Sequence, residues 1–293
     1  MGDWAEHLVA AGGEIRFRAR ATEVAQDDRG AAVHALDEET GEPFTVRCVV
    51  AVACDGAGSA SALGDISTIE LSHPFRWLAV IAAAPPVSER SIYGLHIRGY
   101  AAQMRRSATI TRYYLEVPHG DDIGDWPDDR IRAELEERLG ISGRLSLAGV
   151  QFVERDFLDL RVRMREPMQL GRLFLAGDAA HLITPAGGKG MNLAVQDALE
   201  LAAGLREQLG SAGSETRLAR YSATRLPAVW QVQEFSNWLL NLLHAGPTVA
   251  GQTADASGVA SFAYRLRRAR LDRLFSDPQF ARWFSHRYAG VDE

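Results

Sequence analysis

The chain has 293 residues, 46% of them hydrophobic and 24% charged, which is ordinary for a soluble globular protein of one large or two interleaved domains. Its formal net charge of −6 at pH 7 argues against a nucleic-acid-binding protein, because such domains are usually basic. No stretch approaches the length of a membrane span and the N-terminus does not resemble a signal peptide, so we expect a cytoplasmic protein that contacts no membrane.

The N-terminal residues predict one short helix. Apolar spacing places it at Asp3–Ala11, and the two glycines that follow are typical of a helix end. We expect Trp4, Leu8 and Val9 to face inward from this helix.

Short strands follow the helix. The pattern places them at Glu14–Arg18, Thr22–Ala25, Ala32–Leu36 and Phe44–Val46, the last two joined by a turn that contains Thr40 and Gly41. Arg47–Cys54 is then a nearly continuous apolar strand, a pattern typical of a sheet covered on both faces. Cys48 and Cys54 both lie in this run, so a disulfide framework is not expected.

The middle of the chain predicts a separate antiparallel sheet. Strands such as Arg76–Ala82 and Thr109–Val117 alternate in polarity, Asp128–Leu139 reads as a charged helix, and Gln151–Met164 returns as extended chain. This layer is interpreted as an insertion between two parts of a nucleotide-binding type of domain.

A polar group stands out in that middle layer. It comprises Tyr93, Arg106, Arg112, Tyr113 and Tyr114. Strict alternation places Arg106 and Tyr114 on one face of a strand, and an arginine among tyrosines suits an aromatic carboxylate. The alternative is a surface arginine beside core tyrosines whose hydroxyls reach water.

A glycine-rich stretch follows the sheet. Leu173–Ala176 has the length of a buried strand, ends at Gly177 and Asp178, and is followed by a loop with Pro185 and three glycines that opens a helix. The inward-facing residues expected on this helix are Leu193, Ala194, Ala198, Leu201 and Leu205. Such a strand, turn and helix N-terminus binds anionic or polyhydroxylated cofactors, or is an ordinary connection.

Two strands therefore end in a carboxylate beside a glycine, at Asp55-Gly56 and at Gly177-Asp178. Acidic residues at strand ends of an α/β sheet suit ribose or ribityl hydroxyls, whereas the alternative is that each simply caps the next turn. His96 and His181 show no metal-ligand spacing.

The C-terminal region predicts helices. One runs from a cap at Ser214 to about His244 with a kink at Pro227, and two more cover Val259–Phe275 and Pro278–Tyr288. Their aromatic residues fit either a homodimer face or core packing.

Taken together, these residues resemble the flavoprotein aromatic hydroxylases, which are single-component FAD monooxygenases. The resemblance covers nearly the whole chain. The matching blocks are residues 54–56, 73–78 with 85–88, 91–99 with 106–109 and 112–114, 171–194, and the C-terminal helices to Tyr288-Ala-Gly290.

The resemblance implies FAD as cofactor and NADPH or NADH as co-substrate. It assigns the ribityl chain to Asp178, and the isoalloxazine to the loop from Pro185 to Asn192 at a positive helix end. The cofactor-binding residues that it implies are Gly177, Asp178, Gly187, Gly190, Met191, Asn192, Asp55, Gly56, Arg112 and Arg161.

It also implies the substrate site. Arg106 and Tyr114, with Met104 beside them, would hold the carboxylate of a small aromatic acid, and Tyr93 would contact the ring hydroxyl. Tyr288 would pass the proton onward and the Pro185 carbonyl would orient the ring. The implied reaction uses molecular oxygen, through a flavin hydroperoxide, to convert 4-hydroxybenzoate to 3,4-dihydroxybenzoate.

The sequence departs from the family pattern in three places. The strand, Gly-x-Gly-x-x-Gly turn and helix that bind the FAD pyrophosphate are not present, so we expect an N-terminally truncated domain in which Arg47–Cys54 and Leu173–Ala176 have unpaired edges. Met104 stands where the family has a serine, and residues 57–62 are small where it has histidine and arginine. A related aromatic acid as substrate, and a non-catalytic fragment, therefore stay open as alternatives.

The predicted fold is an α/β, Rossmann-like FAD/NAD(P)-binding domain with an inserted antiparallel substrate domain and C-terminal helices. The predicted boundaries are 1–67 and 166–210 for the FAD-binding domain, 68–165 for the substrate-binding sheet and 211–293 for the helical region.

Overall fold

A computed structural model describes residues 2–58, 66–140, 147–210, 213–244 and 262–290. Its strands are β1 (Ala19–Asp27), β2 (Gly30–Asp37), β3 (Pro43–Cys48), β4 (Ala51–Ala53), β5 (Ser67–Ala82), β6 (Ile92–His96), β7 (Gly99–Arg105), β8 (Thr111–Pro118), β9 (Phe152–Glu166), β10 (Gln169–Leu170), β11 (Leu173–Leu175) and β12 (His181–Leu182). Its α-helices are α1 (Gly2–Ala10), α2 (Asp128–Arg138), α3 (Gly190–Leu209), α4 (Thr216–Ala219), α5 (Tyr221–Leu243), α6 (Phe262–Ser276) and α7 (Pro278–Ala289).

The chain divides into two compact units. The first comprises Met1–Ile69, Arg163–Leu182 and Asn192–Pro227, and the second comprises Glu70–Val162, Ile183–Met191 and Ala228–Glu293. The mixture of helices, a short parallel pair and antiparallel sheets agrees with the predicted fold class. The boundaries predicted between the four segments stay a prediction.

The first unit begins with an antiparallel meander, β1-β2-β3. The predicted hairpin is confirmed, since Val33 lies opposite Val46. The carboxylate of Asp37 closes its turn by accepting hydrogen bonds from the backbone N–H groups of Glu39 and Thr40, at 2.8 and 3.1 Å. Such a carboxylate-capped turn allows the two strands to reverse within a few residues.

Two predictions for the N-terminal residues are wrong. Helix α1 forms, but Trp4 is 86% exposed and Leu8 and Val9 are also exposed, so its apolar residues do not face a core. Residues 14–18 form no strand, and extended pairing begins only at Ala19. Arg18 has a positive φ of 54°, a conformation that interrupts an extended strand just before β1.

The apolar run Arg47–Cys54 is also divided, contrary to prediction. Its first part belongs to β3 of the meander, and its last part forms β4, which pairs in parallel with β11 in a second sheet of order β10-β11-β4. β4 is an edge of that sheet. Leu173–Leu175 is its fully buried central strand, so the predicted unpaired edge for Leu173–Ala176 is wrong.

The second unit contains the predicted antiparallel sheet, in which β9, β5, β8, β7 and β6 are successive neighbours. One face and α2 enclose a core that includes Leu78, Val80, Tyr113, Leu115, Ile131 and Leu135. The other face packs aromatic residues with α5 and α7, including Trp77, Tyr100, Tyr114, Phe235, Trp238, Phe284 and Tyr288. Because successive residues of a strand point to opposite faces, Tyr113 and Tyr114 belong to different cores.

The C-terminal helices follow the prediction with small differences. The first predicted helix is divided into α4 and α5, and Pro227 lies inside α5. Glu215, and not Ser214, directly precedes α4, but the Ser214 hydroxyl accepts the N–H of Thr216 at 3.4 Å. Helix α6 is described from Phe262; the predicted start at 259 lies outside the described residues. Asp277 caps α7 by accepting from the backbone N–H groups of Gln279 and Phe280 at 3.0 and 3.2 Å. Among the helices of the described ranges, none is long and apolar enough to cross a membrane.

Candidate active site

Two predicted catalytic tyrosines meet in the second unit. Tyr93 lies on β6 and Tyr288 on α7, and their hydroxyl oxygens are 2.6 Å apart, a short hydrogen bond in which either can donate. Both side chains are partly buried in the aromatic core. Burial, together with the hydrogen bond to Tyr288, raises the pKa of the Tyr93 phenol well above its usual value of 10.0. Tyr93 is therefore protonated at neutral pH.

Tyr93 belongs to a cross-strand row that also contains Tyr114. Tyr93 lies opposite Ala102 on β7, and Ala102 lies opposite Tyr114 on β8. Residues directly opposite on neighbouring strands share a face of the sheet. The two tyrosines are therefore separated by one strand, or roughly 10 Å between backbones, with only a methyl group between them in the row.

The predicted carboxylate-binding arginine is not on a strand. Arg106 follows β7 in the turn to β8, where its backbone N–H donates to the Ile110 carbonyl at 3.0 Å, and its side chain is exposed. The alternation of side chains between the two faces of a strand does not apply to Arg106, because β7 ends at Arg105. Among the described residues the guanidinium that contacts Tyr114 is Arg112, whose Nη1 donates to the phenolic oxygen at 3.4 Å.

Arg112 and Met104 occupy the next row of the same face. Met104 lies opposite Arg112 and is half-buried. The Nε atom of Arg112 is buried and has no hydrogen-bond partner within the described residues.

The glycine-rich loop of the second unit is held near the tyrosine pair by a lysine that the sequence analysis missed. Lys189 is only 6% exposed, its Nζ donates to the backbone carbonyl of Tyr288, and it lies 5.7 Å from the centre of that ring. Burial lowers the pKa of this amine. The Pro185 carbonyl accepts the Gly188 N–H at 3.0 Å, and Gly187 has a φ of 82° that favours glycine.

A second missed feature is a buried histidine beside Trp77. The indole Nε1 of Trp77 donates to Nε2 of His244 at 2.5 Å, and Nδ1 of His244 lies 2.7 Å from the Leu240 carbonyl. Burial lowers the pKa of His244 to about 3, so the ring is neutral and donates from Nδ1. It also packs 4.3 Å from the Tyr100 ring and so fixes the aromatic face of the site. An isolated histidine at a helix end gave no sequence signal for this role.

In the first unit, β11 ends at Gly177 and Asp178 as predicted. Gly177 has a φ of 61°, and a Cβ added there would lie 3.2 Å from the Cβ of Ala194, so the turn abuts the start of α3. Asp178 is exposed in this turn, and Asn192 is exposed in the first turn of α3. The first N–H groups of this 20-residue helix have no acceptor within the helix. Exposed carboxylates at strand ends and the first N–H groups of helices are both groups that bind polyhydroxylated or anionic cofactors such as FAD.

The remaining predicted cofactor residues are mostly exposed. Asp55 follows β4, and Gly56 begins a short 3₁₀ turn with a φ of 76°. Arg161 is exposed on β9, Met191 is 76% exposed, and Gly190 starts α3. Of the small residues after Gly56, positions 59–62 lie outside the described residues.

The buried stripe of α3 differs from the prediction. Its members are Leu193, Asp197, Leu201 and Gly204, whereas Ala198 is exposed. Asp197 is an acid with no exposed surface, and its carboxylate accepts a hydrogen bond from the Gly177 N–H at 3.0 Å. The sequence contained a signal for this buried acid, because Asp197 lies four residues from both Leu193 and Leu201, on an otherwise apolar face of the helix.

The fold is that of an FAD-binding protein. The FAD binding domain family matches residues 3–236, and the chain therefore belongs to that family. It is 35% identical over 258 residues to p-hydroxybenzoate hydroxylase from Acinetobacter baylyi, which covers 87% of this chain and 61% of that protein.

Other similar proteins are monooxygenases with different names. A 12-dehydrotetracycline 5-monooxygenase/anhydrotetracycline 6-monooxygenase from Streptomyces rimosus is 29% identical over 233 residues, or 74% of this chain and 44% of that protein. The solved structure of p-nitrophenol 4-monooxygenase from Pseudomonas putida superposes with a TM-score of 0.71 at 20% identity, over 99% of this chain and 71% of that one. The chain thus spans about half of the length of the curated relatives it matches.

Proposed function

We propose that the protein is an FAD-dependent hydroxylase that uses NADPH or NADH and oxygen to convert 4-hydroxybenzoate to 3,4-dihydroxybenzoate. The observation that carries this proposal is the 2.6 Å hydrogen bond between the hydroxyls of Tyr93 and Tyr288 within an aromatic core. A phenol is attacked more readily at the neighbouring ring carbon once its proton has left, and two linked tyrosines provide a route for that proton.

The proton would move between named atoms of these two residues. Tyr93 would accept the substrate's hydroxyl proton at its phenolic oxygen while its own proton passes to the oxygen of Tyr288. Tyr288, which is partly exposed, would release its own hydroxyl proton to solvent, so that both tyrosines end the transfer neutral. Because the raised pKa keeps Tyr93 neutral, it relays the proton and does not store a negative charge. The Pro185 carbonyl would orient the ring.

The other end of the substrate would be bound as a carboxylate. Tyr114 offers a phenolic O–H one strand away from Tyr93. The exposed guanidinium of Arg106 would reach the carboxylate as a bidentate partner from the turn that follows β7, outside the strand. The aromatic surroundings, including Trp77, would exclude water from the ring.

FAD, when bound, supplies electron transfer from the nicotinamide and the activation of oxygen. Asp178 would bind its ribityl hydroxyls, and Asn192 with the first N–H groups of α3 would bind the isoalloxazine. The further residues proposed to hold the cofactors are Gly177, Gly187, Gly190, Met191, Asp55, Gly56, Arg112 and Arg161.

The direct test is oxidation of NADPH by the FAD-loaded protein on addition of 4-hydroxybenzoate. We expect faster NADPH oxidation with one 3,4-dihydroxybenzoate formed for each NADPH consumed, measured by absorbance and chromatography. Benzoate, which has no ring hydroxyl, is the control and should yield no hydroxylated product. Absence of product with 4-hydroxybenzoate and with related hydroxy- and aminobenzoates would refute the proposal.

A valine at position 102 tests the tyrosine row. Ala102 is fully buried between Tyr93 and Tyr114, so Ala102→Val would displace these rings and raise the KM for 4-hydroxybenzoate by roughly tenfold or more. Ala101→Val is the matched control, because Ala101 is equally buried but belongs to the opposite face. Equal effects of the two variants on KM would show that the row does not bind substrate.

A second candidate substrate is a related aromatic acid, and Met104 favours it. A thioether does not donate a hydrogen bond to a carboxylate, and Met104 lies beside the proposed carboxylate site. If the native substrate is such an acid, Met104→Ser should raise the kcat/KM for 4-hydroxybenzoate relative to the kcat/KM for that acid. A ratio of kcat/KM values across hydroxy- and aminobenzoates that does not change would remove Met104 as a determinant of specificity.

A further inference from the structure

Asp197 accepts hydrogen bonds from three different parts of the first unit. Its Oδ2 accepts from the Gly177 N–H at 3.0 Å and from Nε2 of His181 at 2.6 Å, and its Oδ1 accepts from Nε of Arg225 at 2.7 Å. Asp197 and His181 have no exposed surface, and Arg225 is 7% exposed. This is a carboxylate whose lone pairs are almost fully used inside the protein.

The carboxylate is ionised despite its burial. Burial alone would raise the pKa of Asp197, but the hydrogen bonds from His181, Arg225 and the Gly177 amide outweigh it and lower the pKa. A buried charge is costly, and an apolar residue at this helix position would pack against the same core. The network therefore calls for a reason other than packing.

The positions of the donors around Asp197 explain why a charged residue lies there. Gly177 and His181 lie on either side of Asp178 in the sequence, and both donate to the same oxygen of Asp197. These two hydrogen bonds close the segment around Asp178 into a loop about the buried carboxylate of Asp197. The side chain of Asp178 itself remains exposed.

Neighbouring contacts fix the same segment from other sides. The Nη1 of Arg165 donates to the carbonyl of Ala179 at 2.7 Å, and its backbone N–H donates to the carbonyl of Ala180 at 2.9 Å. The hydroxyl of Tyr221 donates to the carbonyl of Leu175 at 2.8 Å, just before the turn. Asp197 differs from these contacts because it alone among them bridges both ends of the turn.

We infer that Asp197 is a positioning residue for FAD binding, which holds the turn so that the Asp178 carboxylate is preorganised for the ribityl hydroxyls. The inference rests on the proposed FAD site at Asp178. It predicts that the effect of Asp197 on FAD affinity depends on Asp178, whereas its effect on the stability of the fold does not.

A double-mutant cycle tests this. FAD is titrated into the apo form of the full chain by fluorescence for wild type, Asp178→Ala, Asp197→Asn and the double variant, with circular dichroism to establish that each is folded. We expect each single variant to weaken FAD binding roughly ten- to a hundredfold, and the double variant to be about as weak as the weaker single one. Glu200→Gln is the matched control, because Glu200 lies on the same helix and pairs with Arg217 away from the turn. It should bind FAD like wild type.

The possible outcomes separate the inference from the proposed function. Unchanged FAD affinity in Asp178→Ala overturns the FAD site and, with it, the inference. Weaker binding in Asp178→Ala combined with independent, multiplicative effects in the double variant overturns the inference alone. If Asp197→Asn does not fold, Arg225→Lys replaces it in the cycle, because it keeps a cation but loses the Nε donor, and the same non-additivity is expected.

Discussion

Tyr93→Phe is expected to lower the rate of ring hydroxylation by about a hundredfold or more, because general acid–base residues typically contribute at least this factor. The phenylalanine keeps the ring in the aromatic core but removes the oxygen that lies 2.6 Å from the Tyr288 hydroxyl. Stopped-flow measurement of product formation after mixing with oxygen isolates this step from NADPH oxidation. FAD affinity should stay unchanged.

The matched control for this variant is Tyr113→Phe. Tyr113 is a buried tyrosine of the same sheet, but it lies on the opposite face from Tyr93. Its loss should leave the hydroxylation rate within a few-fold of wild type. If both variants hydroxylate at the wild-type rate, the Tyr93–Tyr288 pair is structural and the proposed proton route is wrong.

The pair also has a consequence for pH dependence. Because burial and the hydrogen bond raise the pKa of Tyr93, it does not ionise between pH 6 and 9, and loss of its proton cannot produce a kinetic transition in that range. A transition measured there in the wild-type protein should therefore persist in Tyr93→Phe, at a lower overall rate.

The sequence predicted the elements whose signal is local. The hairpin around Thr40 and Gly41 depends on turn chemistry, and the strand ending at Gly177 depends on a short apolar run followed by glycine. The resemblance led to the tyrosine pair, in which residues 195 positions apart form a hydrogen bond. The spacing of residues along the sequence could not have predicted that Tyr93 and Tyr288 are in contact.

The wrong predictions share a physical cause. The periodicity of apolar residues shows which residues share a face, but it does not show what packs against that face. Trp4 and Leu8 have helical spacing, yet α1 is exposed. Arg106 has the right parity for the face of Tyr114, yet the strand ends before it. Ala198 was chosen for the apolar stripe of α3 because apolar residues are usually buried, and the buried neighbour is the charged Asp197.

The second large effect is expected on the stability of the protein when Asp197 is replaced. Asp197→Asn is expected to lower the free energy of unfolding by roughly 3 to 5 kcal/mol, because it leaves a buried guanidinium and a buried imidazole without their anion. Arg225 and His181 both lose a partner at 2.7 Å or less, and the new amide group points N–H toward donors. Urea denaturation at pH 7 measures the change. Glu200→Gln, which removes an ion pair nearer to solvent on the same helix, should change stability little.

The pH dependence of this difference distinguishes a lost charge from a packing defect. The pKa of Asp197 in the folded protein is lowered from 3.8, so its stabilising contribution is complete above pH 3.8 and is lost as the pH falls through the folded pKa. The difference in unfolding free energy between wild type and Asp197→Asn should thus be constant from pH 8 to about pH 5 and shrink in stronger acid, where wild type also becomes neutral at this position. A difference that persists undiminished at the lowest pH at which both proteins fold would mean that the asparagine disturbs packing, and that the charge of Asp197 does not hold the turn beside Asp178.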